Sequence, residues 1–253
     1  MPVLDPVAVR VSGRAVGLDP ESVGRAFPHA GGRLLVLLPP PGEDEGAWSR
    51  GPGAATYAHQ LARLLDWTPV HLRVADAAPG SAGAAVSAAL QRLVESWPVE
   101  VDRIALLGHG AGGLVLRAAA GVRPTSTGGW TARVSDVVLL GTPYLAAAAP
   151  RLATPVGVRV DRRWGPITTP DRADPGLAPL DGARYRLVTA RDSAPRLLGR
   201  VLGGLLWWRS TLTRRPRRAD HLFPTAEHYD LDTGGAPLTG HPEVAAALLD
   251  WLA

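Results

Sequence analysis

The sequence contains no cysteine and no lysine. The first absence excludes disulfides, thiolate metal sites and a cysteine nucleophile. The second makes all 27 basic residues arginines; beside 29 glycines and 24 prolines this is the composition expected of a GC-rich coding sequence. A pI near 10.2 therefore overstates any affinity for nucleic acid. The formal net charge is only +4, and no recognised nucleic-acid module accompanies the arginines, so no nucleic-acid partner is expected. There is no apolar run of about 18 residues, hence no membrane-spanning helix is expected. Met1 to Arg10 carries Asp5, Pro2 and Pro6 where a signal peptide would be apolar, which makes the cytoplasm the expected location.

What is present is ordinary globular material: 253 residues, 46% hydrophobic and 20% charged, enough to bury one large core. Val-, Leu- and Ile-rich runs at 33–38, 69–74, 103–107, 136–141 and 184–190 read as short buried strands. Between them, apolar residues recur at helical spacing. Tyr57, Leu61, Leu64 and Leu65 share one face, as do Val86, Leu90, Leu93, Val94 and Trp97; Val244, Leu248, Trp251 and Leu252 follow a first-turn Pro242. Alternating strands and helices predict a mostly parallel sheet in a three-layer α/β/α sandwich. The reading is of a single domain over 1–253, with residues 1–30 as an N-terminal extension and 150–181 as an irregular, cap-like insertion rich in Pro, Arg and Asp.

The most informative stretch is 104–114, Ile-Ala-Leu-Leu-Gly-His-Gly-Ala-Gly-Gly-Leu. An apolar strand ends in a glycine-rich turn and passes directly into a helix. That is the context of a nucleophile elbow, G-x-S-x-G, in which the central residue is held in a strained backbone conformation and its neighbours must be small. Gly108 and Gly112 occupy the outer positions, and Gly110 stands where the serine belongs. A phosphate-binding loop would need Lys-Ser or Lys-Thr after the glycines, and Gly113-Leu114 does not supply it. A dinucleotide fingerprint would need an acidic residue about twenty residues further on, which is missing.

With these residues in view, the segment resembles the Gly-His-Ser-Met-Gly-Gly elbow of the α/β-hydrolase superfamily, most closely its lipase-like and GPI-inositol-deacylase-like members. Trp97 to Arg103 leads into the elbow strand as in such members. Val137-Val-Leu-Leu-Gly-Thr-Pro143 is similar to their Gly-Thr-Pro-His strand end, with Tyr144 where histidine is usual. Glu227-His228-Tyr229-Asp230 is similar to the segment carrying the catalytic histidine. The resemblance covers residues 33 to 252 and implies the α/β-hydrolase fold.

It also implies a serine-hydrolase site, and several parts of that site are missing here. Such a site needs a nucleophile, a histidine base, an orienting acid and two backbone oxyanion donors. Gly110 has no side chain to act as nucleophile. At the implied oxyanion position stands Pro41, which has no N–H, leaving the N–H of Ala111 as the surviving donor. Gly204 occupies the implied position of the acid; Asp192, just after the strand 184–190, is a rival residual acid or simply a turn residue. His228 stands at the retained base position, and His109 is expected to pack beneath the elbow. The histidines 29, 59, 71, 221 and 241 have no metal-ligand spacing, and neither a metal nor a cofactor is implied.

Three functional readings follow. One is a pseudoenzyme that binds a small apolar ligand or a protein partner in the crevice above the strand ends, beside Tyr144, Trp164 and Trp207. Another is a nucleophile-independent lyase, cyclase or isomerase using His228 as base. The third is a lipase- or esterase-like ester hydrolase whose serine lies off the elbow, at Ser193 or Ser126. The Trp- and Arg-rich segment 196–218 reads as core packing followed by a solvated basic loop; the less favoured reading is a membrane-surface contact.

Overall fold

In the computed structural model, residues 6–49, 55–75, 79–122, 129–142, 180, 182–191, 226–234 and 236–253 are described. The five apolar runs are strands: β3 (Arg33–Leu38), β4 (Thr68–Val74), β5 (Arg103–His109), β6 (Val134–Leu140) and β7 (Arg184–Arg191). Three more strands lie at the sheet margins, β1 (Val7–Val11), β2 (Arg14–Val16) and β8 (Glu227–Asp232). Together they form one eight-stranded sheet in the order β2-β1-β4-β3-β5-β6-β7-β8. The pairs β1–β2 and β1–β4 are antiparallel, and every other neighbouring pair is parallel.

The apolar runs are continuous because both faces of the central strands are covered. In β3, Leu34, Val36 and Leu38 enter one core and Leu35 and Leu37 the other, all fully buried. The first core is closed by α3 (Pro79–Glu95) and α4 (Ala111–Ala120), the second by α2 (Tyr57–Leu65) and α5 (Pro242–Trp251). This is the three-layer α/β/α sandwich that the sequence predicts. The expected N-terminal extension contributes β1, β2 and α1 (Pro20–Ala26), and it places Val7, Val9, Val23 and Phe27 in the first core. Local signals set the helix starts. Asp19 caps α1 by accepting from Ser22 N–H, Thr56 caps α2 by accepting from His59 N–H, and Pro242 opens α5.

The amino edge of the sheet is held by charge. Asp136, fully buried in β6, is bonded by Arg186 Nη1 at 2.9 Å, Arg184 Nε at 3.0 Å and Arg103 Nη2 at 3.2 Å. Beside it, Trp67 donates its indole N–H to Leu252 O at 3.0 Å and lies under the guanidinium groups of Arg103 and Arg33. This ties the chain after α5 to the start of β4. No helix among the described residues is long and apolar enough to cross a membrane.

Candidate functional site

The sharp turn between β5 and α4 is an elbow in its backbone geometry. Gly110 has φ 53° and ψ −129°, a region that excludes nearly every residue with a Cβ except under constraint. Its N–H donates to Leu140 O at 2.9 Å, and its carbonyl accepts from Gly113 N–H at 3.2 Å, so the strained residue is fixed from both sides. The flanking glycines are dictated by contact. A Cβ on Gly108 would lie 2.7 Å from Gly113 Cα, and one on Gly112 would collide with the carbonyl oxygens of Leu38 and Pro39. The helix thus rests directly on the end of β3. Nothing projects from Gly110 into the space above the strand ends.

The loop after β3 faces this elbow, and Pro40 is its nearest part. Pro40 Cγ lies 3.3 Å from the position a Cβ on Gly110 would take. Pro41 is buried one residue further on. Pro39, Pro40 and Pro41 have no N–H at all. The next two amides are already engaged: Gly42 N–H donates to Val74 O at 2.9 Å and Glu43 N–H to Pro40 O at 3.0 Å. From 39 to 43 the loop therefore offers no amide to an oxyanion. What survives is the N-terminal turn of α4, where the amides of Ala111 and Gly112 have no acceptor within the helix. Among the described residues around the elbow, amides remain available at the start of α4 and not in the 39–43 loop.

His109, half-buried, packs edge-on against the fully buried Trp48 with ring centroids 6.1 Å apart. His228 requires a correction. A base acting at Gly110 would sit on a loop beside the elbow, but His228 is the second residue of β8, exposed on the edge strand. Its register runs through Leu187 and Leu139 to Gly108. It is thus three strands from the elbow, roughly 14 Å at about 4.8 Å per strand. The structure does not bring His228 to Gly110. Tyr144, Asp192, Ser193, Ser126, Trp164, Trp207, Gly204 and the segments 150–179 and 196–218 lie outside the described residues.

A histidine that sequence reasoning set aside does occupy the loop before the last helix. His241 caps α5, is 8% exposed, and its buried Nδ1 has no hydrogen-bond partner among the described residues. Its carbonyl and that of Leu238 accept from the Tyr57 hydroxyl, whose proton burial makes harder to remove. This pins the loop to the start of α2. The signal was the His241-Pro242 pair at a helix start, which resembles a cap more than a base. Among the described residues there is no group of three side chains able to hold a metal ion.

No protein-family model matches the sequence, and no curated protein matches it significantly. Solved structures do resemble it. Esterase B from Lactobacillus rhamnosis HN001 superposes with a TM-score of 0.50 at 16% identity, over 87% of this chain and 74% of that one. An α/β hydrolase from Sphaerobacter thermophilus gives 0.49 at 13% identity over 87% and 93% of the two chains. Lipase B from Aspergillus fumigatus gives 0.47 at 15%, over 96% of this chain and 52% of that one. With the sheet order and the elbow already in place, the likeness to esterase B is one of fold: this chain has the α/β-hydrolase fold.

Proposed function

We propose that this chain is a hydrolase-fold pseudoenzyme: it keeps the scaffold, lacks serine-hydrolase chemistry, and acts by binding a small apolar ligand or a protein partner. The observation that carries this reading is the pairing of Gly110 with the 39–43 loop. The elbow conformation is held without a nucleophile, and the loop opposite it has no N–H left to give. Either loss alone would be severe. In subtilisin, removal of the serine costs about 2 × 10⁶ in kcat, and the residual rate rests on the oxyanion hole and binding. Here half of that residual machinery is missing as well.

A fold outlives its chemistry because sites are grafted onto it rather than intrinsic to it. The lyase reading loses its support with the position of His228. The ester-hydrolase reading would need a serine off the elbow and a second oxyanion donor from another segment. The test is turnover of p-nitrophenyl acetate, butyrate and octanoate by the purified protein. The reading expects rates equal to buffer; turnover that scales with protein concentration and survives repurification would overturn it.

A further inference from the structure

Arg33, half-buried at the start of β3, makes no ion pair among the described residues. Its Nη1 donates to Leu65 O at a long 3.4 Å, and its guanidinium stands 6.0 Å from the centre of the Trp67 ring. Its partner in the parallel register of β3 and β5 is a second arginine, Arg103. Neighbouring strands lie about 4.8 Å apart, and the Arg103 guanidinium stands 5.5 Å from the centre of the same indole. The buried Trp67 is thus a shared support for two like charges on adjacent strands, at the amino edge of the sheet. Like charges on neighbouring strands repel unless something of opposite sign answers them.

Within the chain the answer is incomplete. Asp136 is divided among Arg103, Arg184 and Arg186, and Glu227 pairs with Arg186. The four guanidiniums of this row are therefore in contact with two carboxylates. Asp66, Asp102 and Asp250, next in sequence to Leu65, Arg103 and Trp251, are exposed and pair with none of the four, and neither does the carboxylate that follows Leu252. Among the described residues, Nε and Nη2 of Arg33 and Nη1 of Arg103 have no acceptor. Solvent reaches both side chains: that of Arg103 is 28% exposed, and Arg33 is only half-buried. Both remain cations at any physiological pH.

We propose that Arg33 and Arg103 form a binding site for a phosphate dianion, free or borne by a small molecule. A guanidinium presents a planar fork of donors that suits the oxygens of a phosphate, and two unanswered positive charges suit a dianion better than a monoanion. The site lies at the amino ends of β3 and β5, whereas the elbow follows the carboxyl end of β5. Its occupancy is therefore independent of whether Gly110 supports any reaction.

Isothermal titration with inorganic phosphate tests it, at constant ionic strength in chloride and at about pH 8, where phosphate is a dianion. The wild-type protein is expected to bind at one saturable site in the millimolar range. Arg33→Gln, which gives up no ion pair, should weaken binding by at least about tenfold, whereas Arg14→Gln, on the exposed edge strand β2, should leave it unchanged. Arg103→Lys keeps a cation for Asp136 and removes the second fork; it should weaken binding about three- to tenfold. A thermal melt of each variant separates loss of binding from loss of fold. Acetate should bind more weakly than phosphate. Phenyl phosphate binding more tightly than phosphate identifies an ester as the ligand, and more weakly the free ion. Absence of saturable binding by the wild type, or equal binding by the wild type and Arg33→Gln, would refute the site. So would a signal that chloride alone reproduces, which marks an adventitious ion only. Tighter binding of acetate would refute the assignment of a dianion.

Discussion

Pro40 Cγ sits 3.3 Å from the point at which a side chain on Gly110 would begin. That contact is tighter than most real Cβ contacts, and it is made by a ring that cannot swing away freely. The residue facing the nucleophile position therefore both withholds an N–H and crowds the place where a nucleophile would stand.

Restoring the serine should for this reason fail on two counts. Gly110→Ser places a Cβ in a backbone region that costs a non-glycine residue about 1–3 kcal/mol, and it adds the contact with Pro40 while leaving the 39–43 loop without a donor. The variant should melt at or below the wild-type temperature and stay inert toward aryl esters. A thermal melt beside an esterase assay checks both. Ester turnover well above background would show that an oxyanion hole exists in another form.

Gly112→Ala should be worse than an ordinary glycine substitution. The new methyl collides with two backbone carbonyls, those of Leu38 and Pro39, so β3 and α4 must separate. A loss of about 1–3 kcal/mol or more follows from overpacking of this kind. Gly24→Ala in α1 meets nothing within 4 Å and should be neutral or stabilising by up to about 1 kcal/mol. Urea unfolding of the two variants in parallel separates contact from composition.

Asp136→Asn removes the shared carboxylate from three arginines, of which Arg186 is 6% exposed in its side chain. Breaking a buried pair from one side typically costs about 3–5 kcal/mol because a charge is left uncompensated. Glu227 and the Trp251 ring still contact Arg186, which puts the expected loss toward the lower end. The measurement is the shift in urea midpoint at constant m.

His71 gives a pH dependence of definite sign. Burial lowers its pKa from the ordinary 6.5, so below that value the unfolded chain binds more protons than the folded one. The contribution is fully present above about pH 6.5 and is lost as the pH falls toward the lowered folded-state value. His71→Gln should flatten the loss of stability between about pH 7 and pH 5. Urea midpoints at several pH values for both proteins test this; parallel curves would contradict it.

The central strands were legible because they are buried on both faces: Leu34 to Leu38 can only be a run of apolar residues. The margins were not. β2 reads only Arg-Ala-Val and β8 reads Glu-His-Tyr-Asp-Leu-Asp, because edge strands expose one face and one row of amides, and polar side chains suit them. The same polar pattern made His228 look like a loop residue. At the elbow, the missing serine and the missing N–H of the prolines were visible in the residues themselves. The engagement of the Gly42 and Glu43 amides was not, since it depends on where the chain turns against Val74.

The central claim is that no serine in this chain is activated. Intact-mass spectrometry after incubation with excess alkyl fluorophosphonate tests it most directly, because the probe reports an activated hydroxyl regardless of substrate preference. The account predicts an unmodified mass after prolonged incubation. A stoichiometric adduct mapped to one serine, such as Ser193 or Ser126, would contradict it and identify the chain as a working hydrolase with its nucleophile off the elbow.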